Sequence, residues 1–202
     1  DEHFYILTEP LESLNKALPV LRDYNHCLYI KEDAGKLLVG IFEPNAKPAF
    51  MKTNIVPNDF SFGELPEDLD HFEPYLMNAN KRIPILEKTG IRKFFNGPES
   101  FTPDTNYLLG ETPEIKKFFV CCGFNSIGIV SAGGAGKVTA EWIMNDGTSE
   151  DLFSLDISRF EKFHSETKFI TERVTESLGN LYAMHWPYKQ LETSRNQKIL
   201  PY

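Results

Sequence analysis

FVCCGFNSIGIVSAGGAGKVTAEWI, Phe119 to Ile143, sets an apolar run against a glycine-rich stretch and then a helix-like pattern. Two nucleotide motifs could hide in such a layout, and the spelling tests both. The phosphate loop needs G-x-x-x-x-G-K-[ST], in which backbone N–H groups cradle the phosphates and the last hydroxyl holds magnesium. Here Gly136-Lys137 is followed by Val138, and the position five before Gly136 is Ser131. The dinucleotide fingerprint G-x-G-x-x-G also fails, because Gly134 and Gly136 are followed by Thr139 and no ribose-binding acid ends a following strand. A strand, a flexible turn and a helix start remain. The helix start offers unpaired N–H groups and a partial positive charge to electron-rich atoms of a ligand. The same small residues equally suit close helix packing.

Working outward from that stretch, His3 to Thr8 is aromatic and β-branched and ends at Glu9-Pro10, which reads as a strand and a turn. Cys27 to Lys31 and Lys36 to Phe42 read as a hairpin joined by the four residues EDAG. Pro44, Pro48, Pro57 and repeated Asn make Glu43 to Leu65 a long surface loop, of the kind that borders sites. Leu69, Phe72, Leu76, Ala79 and Ile83 recur at helical spacing, with Pro74 confining the helix start and Pro84 ending it. Arg92 to Asn96 and Lys117 to Cys122 read as strands, and Pro103-Asp104 as a turn before Tyr107 to Leu109. The helix after the glycines buries small residues, then Val138, Trp142 and Ile143, and stops at Asn145-Asp146-Gly147. Beyond it Ser158 caps a short helix, Phe163, Phe169, Ile170, Val174 and Leu178 mark helical segments, and the tail from Leu181 is irregular and aromatic. Strands mixed with helices, without βαβ alternation, indicate an α+β fold.

The chain has 202 residues, 41% of them hydrophobic, enough for one sizeable core or two small ones. No apolar run is long enough to cross a bilayer. A formal net charge of -8, with Lys and Arg scattered, argues against a nucleic-acid partner. Three cysteines make no disulfide framework, and Cys121 and Cys122 point to opposite faces of one strand. Buried thiols in a reducing compartment are the expectation. No spacing of Cys and His fits a metal site, and the amino terminus lacks secretory and transit patterns. No G-x-S-x-G elbow is present. The carboxylates of PEDLDHFEP suit a helix dipole on a solvated face better than a metal. His3 and Tyr29, each on a strand and each able to donate or accept a proton, are as ordinary at half-buried positions as at a site.

HFYILTEP, LPVLRD, CLYIKE, LLVGIFEPNAKP, DHFEP, NGPESFTPD with LLGE, and GFNSIGIVSAGGAGKVTAEWI occur here in order along nearly the whole chain. In that order they resemble the FAD-dependent amine oxidoreductases of the D-amino-acid oxidase type, in the sarcosine and dimethylglycine dehydrogenase branch. RFEKF and MHWPYKQLETSR resemble that branch's passage toward a folate-binding domain. The resemblance implies a mixed, largely antiparallel sheet with flanking helices, followed by a mostly helical linker. It divides the chain into a substrate-binding sheet and helix at 1–110, a strand, turn and helix returning to the flavin at 111–147, and a linker at 148–202. It further implies the substrate-side half of a longer protein, with the G-x-G-x-x-G unit for the ADP half of FAD and the tetrahydrofolate domain lying elsewhere.

By that resemblance His3 and Tyr29 line the amine pocket, orienting the amine and helping to keep it unprotonated. Thr102, Pro103 and Asp104 form the turn beside the flavin ring, while Gly123, Asn125, Ser126, Gly128 and Gly134 face its pyrimidine end, chiefly through backbone donors. Arg22 is expected in a structural salt bridge, with a substrate carboxylate as the alternative. The expected partners are a small N-methylated amine and, as electron acceptor, oxygen or a flavoprotein. The expected place is bacterial cytoplasm or mitochondrial matrix. A non-catalytic homologue resembling the regulatory subunit of pyruvate dehydrogenase phosphatase is the rival reading. A sheet shared with a missing partner implies an unpaired edge and self-association of the isolated chain.

Overall fold

The computed structural model describes residues 1–12, 14–15, 17–51, 55–148, 150–184 and 191–193. Most of MHWPYKQLETSR and of the tail beyond it lies outside the described residues. Strand β1, Glu2–Thr8, alternates as its spelling demands: Phe4, Ile6 and Thr8 are buried on one face while His3, Tyr5 and Leu7 occupy the other. It is flanked by β4, Lys36–Ile41, and by β5, Ile91–Pro98, in a five-stranded sheet of order β2-β3-β4-β1-β5. β2 is Leu21–Asp23 and β3 is Leu28–Asp33, and all four pairings are antiparallel. Three residues give β2 no readable period, and it is absent from the sequence expectations.

The hairpin of β3 and β4 is tighter than expected, because Glu32 and Asp33 belong to the ladder and only Ala34-Gly35 turn. Both turn residues have positive φ, 48° and 80°, as a two-residue hairpin requires. The Glu32 carboxylate accepts the Gly35 N–H at 2.7 Å, which helps hold the non-glycine Ala34 in that conformation.

Helix α1, Leu69–Arg82, covers one face of the sheet. Its start is set by Asp68, whose carboxylate accepts the His71 N–H at 2.9 Å, and it ends just before Pro84. Phe72 and Ala79 meet Phe4, Ile6, Leu28, Ile30, Val39, Ile41 and Phe94 in an apolar layer. Pro74, the sixth helical residue, costs only one backbone bond so close to the helix start.

A second unit joins β6, Leu108–Glu111, to β7, Phe119–Cys122, and leads into α2, Gly128–Asn145. Asp146, with φ 56°, ends α2 as the N-D-G spelling implies. Trp142 lies edge-on to Phe119 at 6.1 Å. It fills the slot that Gly110 leaves, since a Cβ there would stand 2.8 Å from the indole.

Three expectations fail here. The glycines of SAGGAGK lie inside α2, and the turn is upstream, at Gly123, Asn125 and Ser126, with φ of 67°, 48° and 66°. Nothing lies within 4 Å of a Cβ built at Gly133, Gly134 or Gly136, so among the described residues these glycines serve no close packing. Along α2 only Ala135 is buried, and Ile143 is exposed. Cys121 and Cys122 are exposed as well, because β7 is half of a two-stranded ribbon that the described residues leave uncovered at both positions, and Cys27 is half-buried.

Residues 150–184 fold back on both units. A short 3₁₀ turn at Ile157–Arg159 is capped by Asp156, which accepts the Ser158 N–H, so Asp156 and not Ser158 is the cap. Helix α3, Thr167–Ser177, follows. Ala46 N–H donates to the Thr175 carbonyl at 2.8 Å, and Gly179 lies so close to Pro44 that a Cβ would stand 2.4 Å from its Cα. Leu178 and Tyr182 then bury against Phe42 and Ala46.

Candidate functional site

The sheet face turned away from α1 carries the groups with chemistry. Tyr29 pairs across β4 with Gly40, which in turn pairs with Tyr5 of β1. A Cβ at Gly40 would lie 2.0 Å from the Tyr29 ring, so the missing side chain is what lets the phenol lie across β4 toward β1. There the Tyr29 hydroxyl stands 3.1 Å from His3 Nε2. Phe42 packs on both rings, with centroids 4.7 Å from His3 and 5.3 Å from Tyr29.

The other nitrogen of His3, Nδ1, pairs with Glu99 Oε2 at the end of β5. Sheet register makes this contact, since His3 is the cross-strand partner of Gly97. The second carboxylate oxygen, Oε1, accepts the Ser126 hydroxyl at 2.5 Å. Burial pushes the Glu99 carboxyl up, but hydrogen bonds from His3 and Ser126 outweigh it and hold the group below its ordinary range. An ionised carboxylate only accepts, so the network assigns the proton to His3 Nδ1. Burial, with the negative charge of Glu99 adding to it, pushes the Tyr29 phenol far above its ordinary value, so it stays protonated and donates to Nε2. The chain of donors therefore runs Tyr29 to His3 to Glu99, with Ser126 closing it from the other side.

Ser126 also marks the approach to α2. Asn125, fully buried, turns its side chain inward: Oδ1 accepts the Thr102 N–H at 2.8 Å and Nδ2 donates to the Gly123 carbonyl at 2.7 Å. Thr102 Oγ1 donates to the Asn106 carbonyl at 2.7 Å. Thr102, Gly123 and Asn125 are thus one knot whose side-chain polar groups satisfy each other. Asp104 is bound by Arg159 through two bonds of 2.7 and 3.0 Å, and Pro103 lies beside it. Burial pushes the Asp104 carboxyl up, but the hydrogen bonds of Arg159, then of the Asn106 N–H, hold it low.

α2 opens at Gly128 with no acidic side chain in its first turn and with Ile129 and Val130 pointing outward. Its first N–H groups have no intrahelical acceptor. Gly134 is six residues further on, about 9 Å along the axis, exposed on α2, and is no part of the helix start.

Arg22, Glu99, Ser126, Gly128 and Val130 line an open cavity of about 520 Å³. The expected salt bridge of Arg22 is not found among the described residues: its guanidinium lies over the Tyr182 ring at 6.0 Å and is exposed. His3, Tyr29 and Ser126 are therefore brought together through Glu99, a residue the sequence reading passed over. Gly40 was also missed, although an isolated glycine inside LLVGIF is the signal of a close approach.

The model of the FAD dependent oxidoreductase family matches residues 2–142, and that of the FAD dependent oxidoreductase central domain matches 146–199. The chain is 40% identical over 200 residues to the formaldehyde-forming 4-methylaminobutanoate oxidase of Paenarthrobacter nicotinovorans, covering 99% of this chain and 24% of that protein. It is 38% identical to two mouse mitochondrial proteins. For sarcosine dehydrogenase the match covers 98% of this chain and 21% of that protein. For the pyruvate dehydrogenase phosphatase regulatory subunit it covers 99% and 23%. The chain spans less than a quarter of the length of these relatives. In fold it is similar to L-proline dehydrogenase of P. horikoshii, with a TM-score of 0.60 at 21% identity over 80% of this chain and 40% of that one.

Proposed function

This chain belongs to the FAD dependent oxidoreductases of the D-amino-acid oxidase type, and from that premise we propose that it forms the substrate-side part of an enzyme oxidising a small N-methylated amino acid. Sarcosine, dimethylglycine and 4-methylaminobutanoate define the class, by analogy with the named relatives. The observation that carries the reading is the chain from Tyr29 through His3 to Glu99, set beside a cavity that reaches the start of α2.

The donor set at α2 suits FAD. The N–H groups of Gly128, Ile129 and Val130, with no acidic side chain in the helix's own first turn, would face the electron-rich pyrimidine end, with Ser126 beside them. Thr102, Asn125 and Asp104 commit their side chains to one another and to Arg159, so they hold the turn behind the cavity, which only Asn125 of the three lines, rather than bond the cofactor. When bound, FAD supplies the acceptor for the hydride removed from the carbon next to nitrogen.

The protein's own groups prepare the amine. Only the neutral amine has a lone pair to assist loss of hydride, and the Tyr29 oxygen, its O–H donating to His3 Nε2, keeps its lone pairs to accept from the N–H of a secondary amine. The phenol thereby orients the nitrogen of a secondary amine. Arg22, unpaired among the described residues, is placed to meet the substrate carboxylate. Loss of hydride leaves an iminium, which water converts to formaldehyde and the demethylated amine. In an enzyme with a folate domain the same one-carbon unit passes to tetrahydrofolate instead. Oxygen or a partner flavoprotein would take up the electrons to complete turnover. A bacterial cytoplasm or a mitochondrial matrix is supported by relatives that are bacterial and mitochondrial, and no helix among the described residues is long and apolar enough to cross a membrane.

The likeness to the phosphatase regulatory subunit gives the rival reading, a homologue without turnover. One experiment separates the two. Full-length protein is mixed anaerobically with sarcosine, dimethylglycine or 4-methylaminobutanoate and its flavin absorbance is followed. Bleaching by one of them, slowed by at least about tenfold in His3→Ala and in Tyr29→Phe, is the expected result. A flavin that none of them bleaches supports the regulatory reading.

A further inference from the structure

Glu99 touches two elements at once. Its Oε2 pairs with His3 of β1, and its Oε1 accepts from Ser126, the residue before the Ile127 cap of α2. The carboxylate is half-buried, and its backbone is tied to residue 1 through its N–H and its carbonyl, at 2.7 and 2.8 Å. The other tautomer of His3 would set the Nδ1 lone pair against the Glu99 carboxylate and reverse the bond to Tyr29. Ser126 has φ 66°, a conformation that strains a non-glycine residue and persists where neighbours over-determine it. Its hydroxyl bond to Glu99 is one such constraint.

We propose that Glu99 is a positioning residue: one carboxylate fixes His3 as its Nδ1–H tautomer and ties that ring to the start of α2. The histidine behind the amine pocket and the helix facing the flavin are then held in one frame. The polarity of the chain follows from it, because a proton fixed on Nδ1 leaves Nε2 as the acceptor that commits the Tyr29 O–H. The tyrosine oxygen is thereby left as an acceptor toward substrate.

The inference rests on the amine-pocket reading of His3 and Tyr29, and its test separates the two. Full-length, FAD-loaded enzyme is reduced anaerobically with sarcosine in a stopped-flow instrument, using Glu99→Ala, His3→Ala and the double variant. Glu99→Ala is expected to lower the limiting reduction rate by about 10- to 100-fold, the range for partners that orient a functional histidine. The apparent Kd for sarcosine should move by less than about threefold. In the His3→Ala background, adding Glu99→Ala should cost nothing further, because both act through one ring.

Selective ¹⁵N labelling of histidine gives a second readout that a merely structural role would leave unmoved. The parent should show His3 protonated at Nδ1 alone, and Glu99→Ala a mixture of tautomers. Losses that multiply in the double variant, a parent-like rate in Glu99→Ala, or an unchanged tautomer overturn the proposal. If His3→Ala itself reduces at the parent rate, the amine-pocket reading falls, while the tautomer measurement still judges what Glu99 does. Should the Ala variant not fold, the same cycle with Glu99→Gln, which keeps the volume and loses the charge, takes its place. A loss of at least about threefold that vanishes without His3 is then the supporting result.

Discussion

The two faces of the five-stranded sheet are built from the same strands and do opposite work. Toward α1, Phe4, Ile6, Leu28, Ile30, Val39 and Phe94 close a dry layer with Phe72 and Ala79. On the other side the alternate residues His3, Tyr5, Tyr29, Gly40 and Phe95 leave a half-buried surface crossed by a chain of hydrogen bonds. Strand alternation makes the division automatic, since each residue that strengthens the core hands its neighbour to the opposite face. A one-residue slip in β1 would bury His3 and expose Phe4, so packing on one side sets the register of the chemistry on the other.

The largest effect should come from the sealed side. Phe72→Ala is expected to cost about 3–5 kcal/mol in urea denaturation. Phe95→Ala, which removes one stacked ring at 4.5 Å from Tyr5 on the open face, should cost about 0.5–1.5 kcal/mol. Equal losses would break the contrast.

Gly40→Ala tests the open side, where the added methyl must displace the Tyr29 ring. Overpacking should cost about 1–3 kcal/mol of stability. The more telling change is a fall in flavin reduction by the full-length enzyme, to about a hundredth. A parent-like rate would mean that the phenol need not cross β4.

A third prediction concerns acid. Because the folded Asp104 carboxyl titrates below its ordinary value of 3.8, folding favours the ionised form. Its contribution is fully present above pH 3.8 and is lost as pH falls through the lower folded value. Asp104→Asn should therefore lower stability at neutral pH by about 1.5–3 kcal/mol, the range for bonds to a charged partner. The gap between parent and variant should close as the pH drops below 3.8, seen as converging urea midpoints.

The smallest effect belongs to Ile129→Ser with Val130→Ser. Both side chains are exposed on α2, so stability should change by no more than about 0.5 kcal/mol. Sedimentation of the isolated chain then tests the proposed self-association, which the two serines should weaken. An unchanged profile would place the sticky surface elsewhere.

What could be read in advance follows from range. Period-two spelling in HFYILT and in the hairpin, and helical spacing from Leu69 to Ile83, are local signals, and the elements they predict are present. SAGGAGK misled because glycine spelling marks a turn unless the surrounding chain imposes a helix, and that context is not local. Glu99 was illegible for a stronger reason: NGPES has no period, and the residue gains its meaning only when β5 pairs with β1, 96 positions away. Cys121 and Cys122 misled because strand spelling reports pairing and says nothing about what covers the ribbon. His3, Tyr29 and the turn at Gly123 to Ser126 became candidates through the family resemblance, not through periodicity.

The two family models meet between residues 142 and 146, yet the fold is sewn across that seam. Arg159 grips Asp104, the Leu155 carbonyl accepts the Leu109 N–H at 2.9 Å, and Gly179 nests on Pro44. The seam is therefore a poor place for recombination. A gene that exchanged the second stretch for a relative's would have to bring an arginine at 159 and a glycine at 179 with it, or leave a half-buried acid without its partner and a backbone crossing without room.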